Sequence, residues 1–214
     1  KKTFAPGLYD LTELQRDANK KFGFSAKETL NIMQRLYENH KVLTYPRTDS
    51  RYIGKDVAET LKERLKACGV GPYRKIVGKL TVQPIRVNKS FVDDSKVSDH
   101  HAIIPTEQFV QLEYMTSDER KIYDLVVRRF AAVLYPPCEY EQTTLKGICG
   151  GEIFTAKGRR MKQPGWQAAY EDIVEDEAED DIREQLLPEM KEGMTEPVRS
   201  VKINEGRTKP PAYY

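Results

Sequence analysis

Several things are scarce in this chain, and each scarcity excludes something. There are three cysteines, Cys68, Cys138 and Cys149, odd in number, far apart and without a C-x-x-C. That pattern argues against a disulfide framework or a zinc ribbon and reads as reduced thiols in a cytosolic protein. Histidine occurs three times, as His40, His100 and His101. The spacing excludes a zincin, which needs two histidines four apart on a helix with a glutamate between. No apolar run approaches the roughly 20 residues that span a bilayer. No basic-then-apolar start resembles a signal peptide. The chain lacks an initial methionine and ends on Pro210-Pro211-Ala212-Tyr213-Tyr214, so both ends read as cut. These absences lead to the expectation of a cytoplasmic fragment with no membrane partner.

What is present is a globular composition. The 214 residues are 39% hydrophobic and 32% charged, enough for a real core under a charged surface. The net charge of +2 hides an asymmetry. Residues 1–100 carry 20 Lys and Arg against 12 Asp and Glu, while residues 101–214 carry 15 against 21. The first half suits a polyanion as partner, and equally suits an ordinary solvated surface.

Local signals divide the chain near residue 138. Asp10 or Thr12 can cap a helix over 11–22. Ser25-Ala26-Lys27-Glu28 is a capping box, followed by Leu30, Met33, Leu36 and Tyr37 at helical spacing, which predicts a helix to about Asn39. Val42-Leu43-Thr44-Tyr45 reads as a short extended segment stopped by Pro46. One helix is expected from Lys55 to about Cys68, with Val57, Leu61 and Leu65 on one face. Residues 72–110 read as irregular. A second capping box, Thr116-Ser117-Asp118-Glu119, opens a strong helix that Pro136-Pro137 ends. Beyond it Tyr140–Lys146, Glu152–Lys157 and Val198–Ile203 alternate as strands do, with turns expected at Gly147, Gly150, Gly151, Gly158 and Gly165. The acidic run from Glu171 to Asp181 reads as a mobile, solvated loop rather than a metal site. The fold class is therefore α+β.

Tyr45-Pro46-Arg47-Thr48-Asp49-Ser50 concentrates a phenol, a guanidinium, two hydroxyls and a carboxylate. In an extended segment Tyr45 and Arg47 project to the same side. Thr48, Asp49 and Ser50 are good N-caps, so a helix start beside an arginine would make a phosphate site there. A tyrosine in such a site can act as a nucleophile, because its anion is stabilised and is also a good leaving group. The same six residues also suit a core tyrosine at a strand end with a surface arginine beyond it. Ser98-Asp99-His100-His101 precedes Ala102-Ile103-Ile104-Pro105-Thr106 in an irregular segment. The doubled histidine suits proton transfer or phosphate binding, or an ordinary surface pair.

The two clusters together point to a family. Leu43 to Tyr52 closely resembles the active-site signature of type IA DNA topoisomerases, a tyrosine, a variable residue, then Arg, Thr or Ser, and Asp. His100 to Thr106 resembles the family's second motif. The doubled histidine, Pro46 and Arg51-Tyr52 are similar to the topoisomerase III branch. Gly23 to Leu30 with Gln34 to Glu38 resembles the helix that leads to the nucleophile. Thr208-Lys209-Pro210-Pro211 resembles the join to the next domain.

The resemblance implies roles residue by residue. Tyr45 is implied as the nucleophile that takes a 5′ phosphate, and Arg47 as the group that stabilises the scissile phosphate. His100 would contact DNA phosphate, Asp49 would orient His100, and His101 stands where topoisomerase I relatives carry glutamate. Arg47, Thr48, Ser50, Arg51 and His100 are the implied DNA contacts. A helical domain over about 11–138 would be inserted in a β-rich arch formed by 1–10 and 139–207, with 208–214 beginning the next domain. Mg²⁺ would be held by a Toprim domain, for which no Asp-x-Asp pattern occurs here, so no metal site is expected in the fragment. Single-stranded DNA and the remaining domains of the same chain are the implied partners of a monomer that needs no ATP. A non-catalytic DNA-binding module and a tyrosine recombinase-like strand transferase are the rival readings.

Overall fold

The computed structural model describes residues 1–172 and 187–207. Each helix forms where local chemistry closes its ends. Helix α1 (Leu11–Phe22) starts at Asp10, whose carboxylate accepts from the Glu13 amide, and stops at Gly23, whose φ of 73° ends the helix in the left-handed region. Helix α2 (Ala26–Glu38) has the capping box at Ser25 and Glu28. The segment expected as one helix from Lys55 is two, α3 (Lys55–Glu59) and α4 (Leu61–Cys68). Thr60 is the break: its hydroxyl donates to the Val57 carbonyl at 2.9 Å and accepts from Arg64 Nε at 2.7 Å. The segment 72–110, expected to be irregular, contains α5 (Tyr73–Thr81), with Tyr73, Ile76, Val77 and Leu80 buried along one face.

Helix α6 (Ser117–Leu134) is the axis of the molecule. It carries the second capping box, at Thr116 and Glu119. Its residues Ile122, Val126 and Phe130 are essentially inaccessible, as are Leu14 of α1, Leu36 of α2 and Leu65 of α4. Helices α1, α2 and α5 all pack on α6. Near its start Glu119 joins α2 to α6, accepting from Arg35 Nε at 2.7 Å with His40 Nε2 at 3.4 Å. Burial alone would raise the Glu119 pKa. The Arg35 guanidinium and the Thr116 cap outweigh it and hold the carboxyl down at about 2. Near its end Arg129 donates to Gly7 O at 3.1 Å, Tyr9 Oη at 3.0 Å and Asp17 at 2.7 Å, and Tyr9 also donates to Asp17.

A three-stranded antiparallel sheet, in the order β1-β2-β3, joins both ends of the helical body. Strand β1 (Lys2–Thr3) pairs with the start of β2 (Cys138–Cys149), which forms a long hairpin with β3 (Glu152–Gln163). Gly150 and Gly151, with φ of 58° and 88°, make the two-residue turn, which needs positive φ at both positions. The strands run through Gly147 and Gly158, which were expected as turns. Val198–Ile203, expected as a strand, is exposed chain without one. Alternation with no face to bury and no neighbouring strand does not make a sheet. Most of the acidic run and Thr208-Lys209-Pro210-Pro211 lie outside the described residues. Among the described residues, no helix is long and apolar enough to cross a membrane.

Candidate active site

The segment after α2 and the segment around His100 are laced side by side. Leu43 forms an antiparallel bridge with Pro105. The Thr44 amide donates to Ile104 O at 3.0 Å, and the Thr106 amide donates to Val42 O at 3.0 Å. The Thr44 hydroxyl donates to Ala102 O at 3.2 Å and accepts from the Ile104 amide at 3.0 Å. Val42, Leu43, Ala102, Ile103 and Ile104 are buried, so apolar residues of both segments pin the pair to the core. The Ile103 amide reaches Tyr9 O at 2.8 Å, which ties the pair to the start of the chain.

This lacing brings the two sequence motifs together. The rings of Tyr45 and His100 lie 4.3 Å apart, centroid to centroid, at an interplanar angle of 39°. Tyr37, near the end of α2, is 5.5 Å from Tyr45 at 81°. Tyr45 thus has one aromatic neighbour from α2 and one from the His100 segment, a packing arrangement that favours one ring orientation. Among the described residues its hydroxyl has no hydrogen-bond partner, and the exposed Arg47 has no hydrogen bond or ion pair. Among the described residues the exposed Asp49 has none either, so it makes no hydrogen bond or ion pair with His100.

Thr48 and Ser50 do not start a helix, so the helix-terminus phosphate site expected there does not form. The next helix begins at Lys55, capped by Gly54. Both hydroxyls are taken up inside the protein. Thr48 Oγ1 donates to His100 O at 3.1 Å and accepts from the Ser50 amide at 3.1 Å. Ser50 Oγ lies 2.8 Å from Lys96 O and 3.3 Å from Tyr52 O. Thr48 and Ser50 are 7% and 6% exposed, so their geometry serves to hold the His100 loop against the Tyr45 loop. Arg51 is half-buried and its Nε donates to Leu8 O at 3.1 Å.

His101 is half-buried, and its Nδ1 hydrogen-bonds to the Ala102 carbonyl at 2.7 Å. As a donor there it leaves Nε2 as the acceptor of the neutral ring. Burial is the main reason its pKa is lowered, so the neutral form is favoured. His101 also lines an open pocket of about 610 Å³ with Tyr37, Glu38, Lys41, Thr44 and Tyr45.

Two residues of this pocket were missed from sequence. The helical spacing places Tyr37 with the apolar residues of α2, yet it is 38% exposed. Lys41 is the one non-glycine residue with positive φ, 58°, among the described residues. That conformation costs an L-residue roughly 1–2 kcal/mol. It turns the chain out of α2, with the Val42 amide donating to Leu36 O at 3.0 Å. No sequence signal marks it, since lysine is not a residue that seeks the left-handed region. Among the described residues, no three His, Cys, Asp or Glu side chains group as a metal site.

The DNA topoisomerase family profile matches residues 1–214. The chain is 62% identical over 215 residues to the DNA topoisomerase 3 of Bacillus thuringiensis strain Al Hakam, covering all of this chain and 30% of that protein. It is 52% identical over 214 residues to the DNA topoisomerase 3 of Bacillus subtilis strain 168, covering all of this chain and 29% of that protein. The chain therefore spans about 30% of the length of these relatives. Its fold is similar to that of full-length topoisomerase I from Thermotoga maritima, with a TM-score of 0.59 and 26% identity over 86% of this chain and 30% of that one. The chain belongs to the type IA DNA topoisomerase family, and within it is similar to the bacterial topoisomerase III proteins.

Proposed function

We propose that Tyr45 is the nucleophile of a DNA topoisomerase and cleaves single-stranded DNA by transesterification. The phenol oxygen attacks the scissile phosphorus, the bond to the 3′ oxygen breaks, and a 5′-phosphotyrosine forms. The phenol proton leaves, and the departing 3′ oxygen takes one up. Another strand passes, and attack by the 3′ hydroxyl restores the DNA. The phosphotyrosine link conserves the free energy of the broken bond, so no ATP is needed. The 4.3 Å approach of Tyr45 and His100 carries this reading, because it joins the two motifs around one exposed edge. Arg47 offsets the charge that develops on the phosphate, and His100 contacts a phosphate beside Tyr45. Asp49 and His101 act in support, and the hydroxyls of Thr48 and Ser50 reach DNA only through the loops they hold.

The family resemblance assigns Mg²⁺ to a Toprim domain. The roles of Tyr45, Arg47 and His100 given above are those of this chain's own side chains. By itself the chain binds single-stranded DNA weakly and does not relax supercoils. It works as one part of a monomeric cytoplasmic enzyme, in which the helical body (11–138) swings on the β-rich part (1–10 and 139–207) to admit a strand.

The test is a chimera in which this chain replaces the matching part of a DNA topoisomerase 3. With 3′-end-labelled single-stranded DNA it should trap a covalent adduct on the 5′ phosphate at the break, and Tyr45→Phe should abolish it. An adduct that survives Tyr45→Phe overturns the assignment, and a 3′ adduct points to the recombinase-like reading. Relaxation of negatively supercoiled plasmid by the 214-residue chain alone would contradict its inactivity.

A further inference from the structure

Beside Tyr45 lies an open pocket of about 610 Å³, room for a nucleobase and its sugar. Three of its features point to one kind of ligand. Tyr37 lines it and is 38% exposed, although it sits on a helix whose Ile32, Met33 and Leu36 are buried in the core. A partly exposed aromatic ring is a stacking platform that any base can use. Lys41 reaches the same pocket from a backbone held at φ 58°, the left-handed conformation that a lysine rarely adopts. Strain of that sort persists at functional sites when the surrounding structure over-determines it. The surroundings do so here: the Thr106 hydroxyl donates to Lys41 O at 2.6 Å, and the Val42 amide donates to Leu36 O. Among the described residues the Lys41 ammonium has no ion-pair partner. The third feature is position, since the pocket shares Tyr45, Thr44 and His101 with the candidate active site.

We propose that the pocket between Tyr37 and Lys41 is a nucleotide subsite that seats the nucleotide flanking the scissile phosphate, with its base on Tyr37 and its outer phosphate on Lys41. Its ligand class is single-stranded nucleic acid, read by stacking and charge without base-edge recognition. The proposal deepens the reading of Tyr45 as nucleophile and rests on it for which phosphate is flanked. The binding of a nucleotide at Tyr37 and Lys41 stands independently of covalent chemistry.

Lys41→Gly is an unusually clean probe. Glycine adopts positive φ without steric cost, so removing the charge also removes the backbone strain. The variant should melt at the same temperature as the parent or higher, which separates loss of binding from loss of fold. Binding of a fluorescein-labelled deoxythymidine oligonucleotide to the 214-residue chain is followed by anisotropy over a series of salt concentrations. Lys41→Gly should weaken binding about fivefold at low salt and flatten the slope of log K against log salt by about 0.7, the value for one phosphate contact on a single strand. Tyr37→Ala should weaken binding roughly tenfold with the slope unchanged, and Tyr37→Phe should restore it. An unchanged slope in Lys41→Gly, unchanged affinity in Tyr37→Ala, or no binding by the parent chain overturns the subsite. The adduct assay of the chimera reports separately on Tyr45. A missing adduct with the slope change intact refutes the nucleophile and upholds the subsite.

Discussion

The imidazole of His100 and the phenol ring of Tyr45 lie in contact, 4.3 Å apart and tilted by 39°, although they belong to different segments. Thr48, three residues after Tyr45, holds the far loop by donating to the His100 carbonyl, 52 residues along the chain. His100 is itself exposed, so its side chain contributes little to the core. His100→Ala should therefore change global stability by no more than about 0.5 kcal/mol. It should slow adduct formation in the chimera on the order of 100-fold, the scale of losing one group aimed at developing charge. His100→Phe keeps a ring against Tyr45 and loses the nitrogen atoms. If it retains the full rate, the imidazole has no chemical part.

Glu119 predicts an acid limb in the stability curve. Its carboxyl sits at about 2 in the folded chain against an ordinary 4.5. A depressed carboxylate stabilises the fold above its unfolded value and loses that contribution as pH falls through the folded one. Urea midpoints should decline between about pH 4.5 and 2. Glu119→Gln should cost on the order of 2 kcal/mol at neutral pH and remove much of the decline. A variant curve parallel to the parent's would rule out Glu119 as the source.

His101 predicts a second limb nearer neutrality. Burial lowers its pKa from 6.5, so protonation costs the folded chain more than the unfolded one. The stability it supports is present above pH 6.5 and is lost as pH falls through the lower folded value. Comparing urea midpoints from neutral to mildly acidic pH, the difference between parent and His101→Gln should shrink as pH drops. A constant difference would mean that His101 does not titrate in this window.

Gly165 should resist any side chain. It lies at φ 53°, and a Cβ there would overlap the carbonyl oxygens of Pro136 and Pro137. It opens the 3-10 segment Gly165–Tyr170, which packs on α6 behind the hairpin. Gly165→Ala should lower stability by about 3 kcal/mol or more by denaturant titration. Gly150→Ala, a control at a positive-φ turn with open space around it, should cost about 1 kcal/mol.

Short-range chemistry makes much of the fold legible in the sequence. Helices α1, α2 and α6 follow from caps and apolar spacing confined to neighbouring residues, and those signals survive folding unchanged. Helix α5 had the same spacing at Tyr73, Ile76, Val77 and Leu80, but the adjoining Gly71-Pro72 and the internal Gly78 masked it. Gly147 and Gly158 looked like turns because a lone glycine does not reveal whether a neighbouring strand will run through it. Val198–Ile203 shows the converse, since its alternation meets no partner among the described strands.

By itself the sequence determined which chemical groups the site contains and which family carries them, because Tyr45-Pro46-Arg47-Thr48-Asp49 and His100-His101 are contiguous patterns. Tertiary structure alone decided their relations. It set Tyr45 between His100 and Tyr37, turned the hydroxyls of Thr48 and Ser50 inward as loop ties, and held Lys41 in a left-handed turn at the pocket's rim. The reason is physical: these outcomes depend on backbone hydrogen bonds and burial between segments far apart in the chain, and no local propensity encodes which distant carbonyl a hydroxyl will meet.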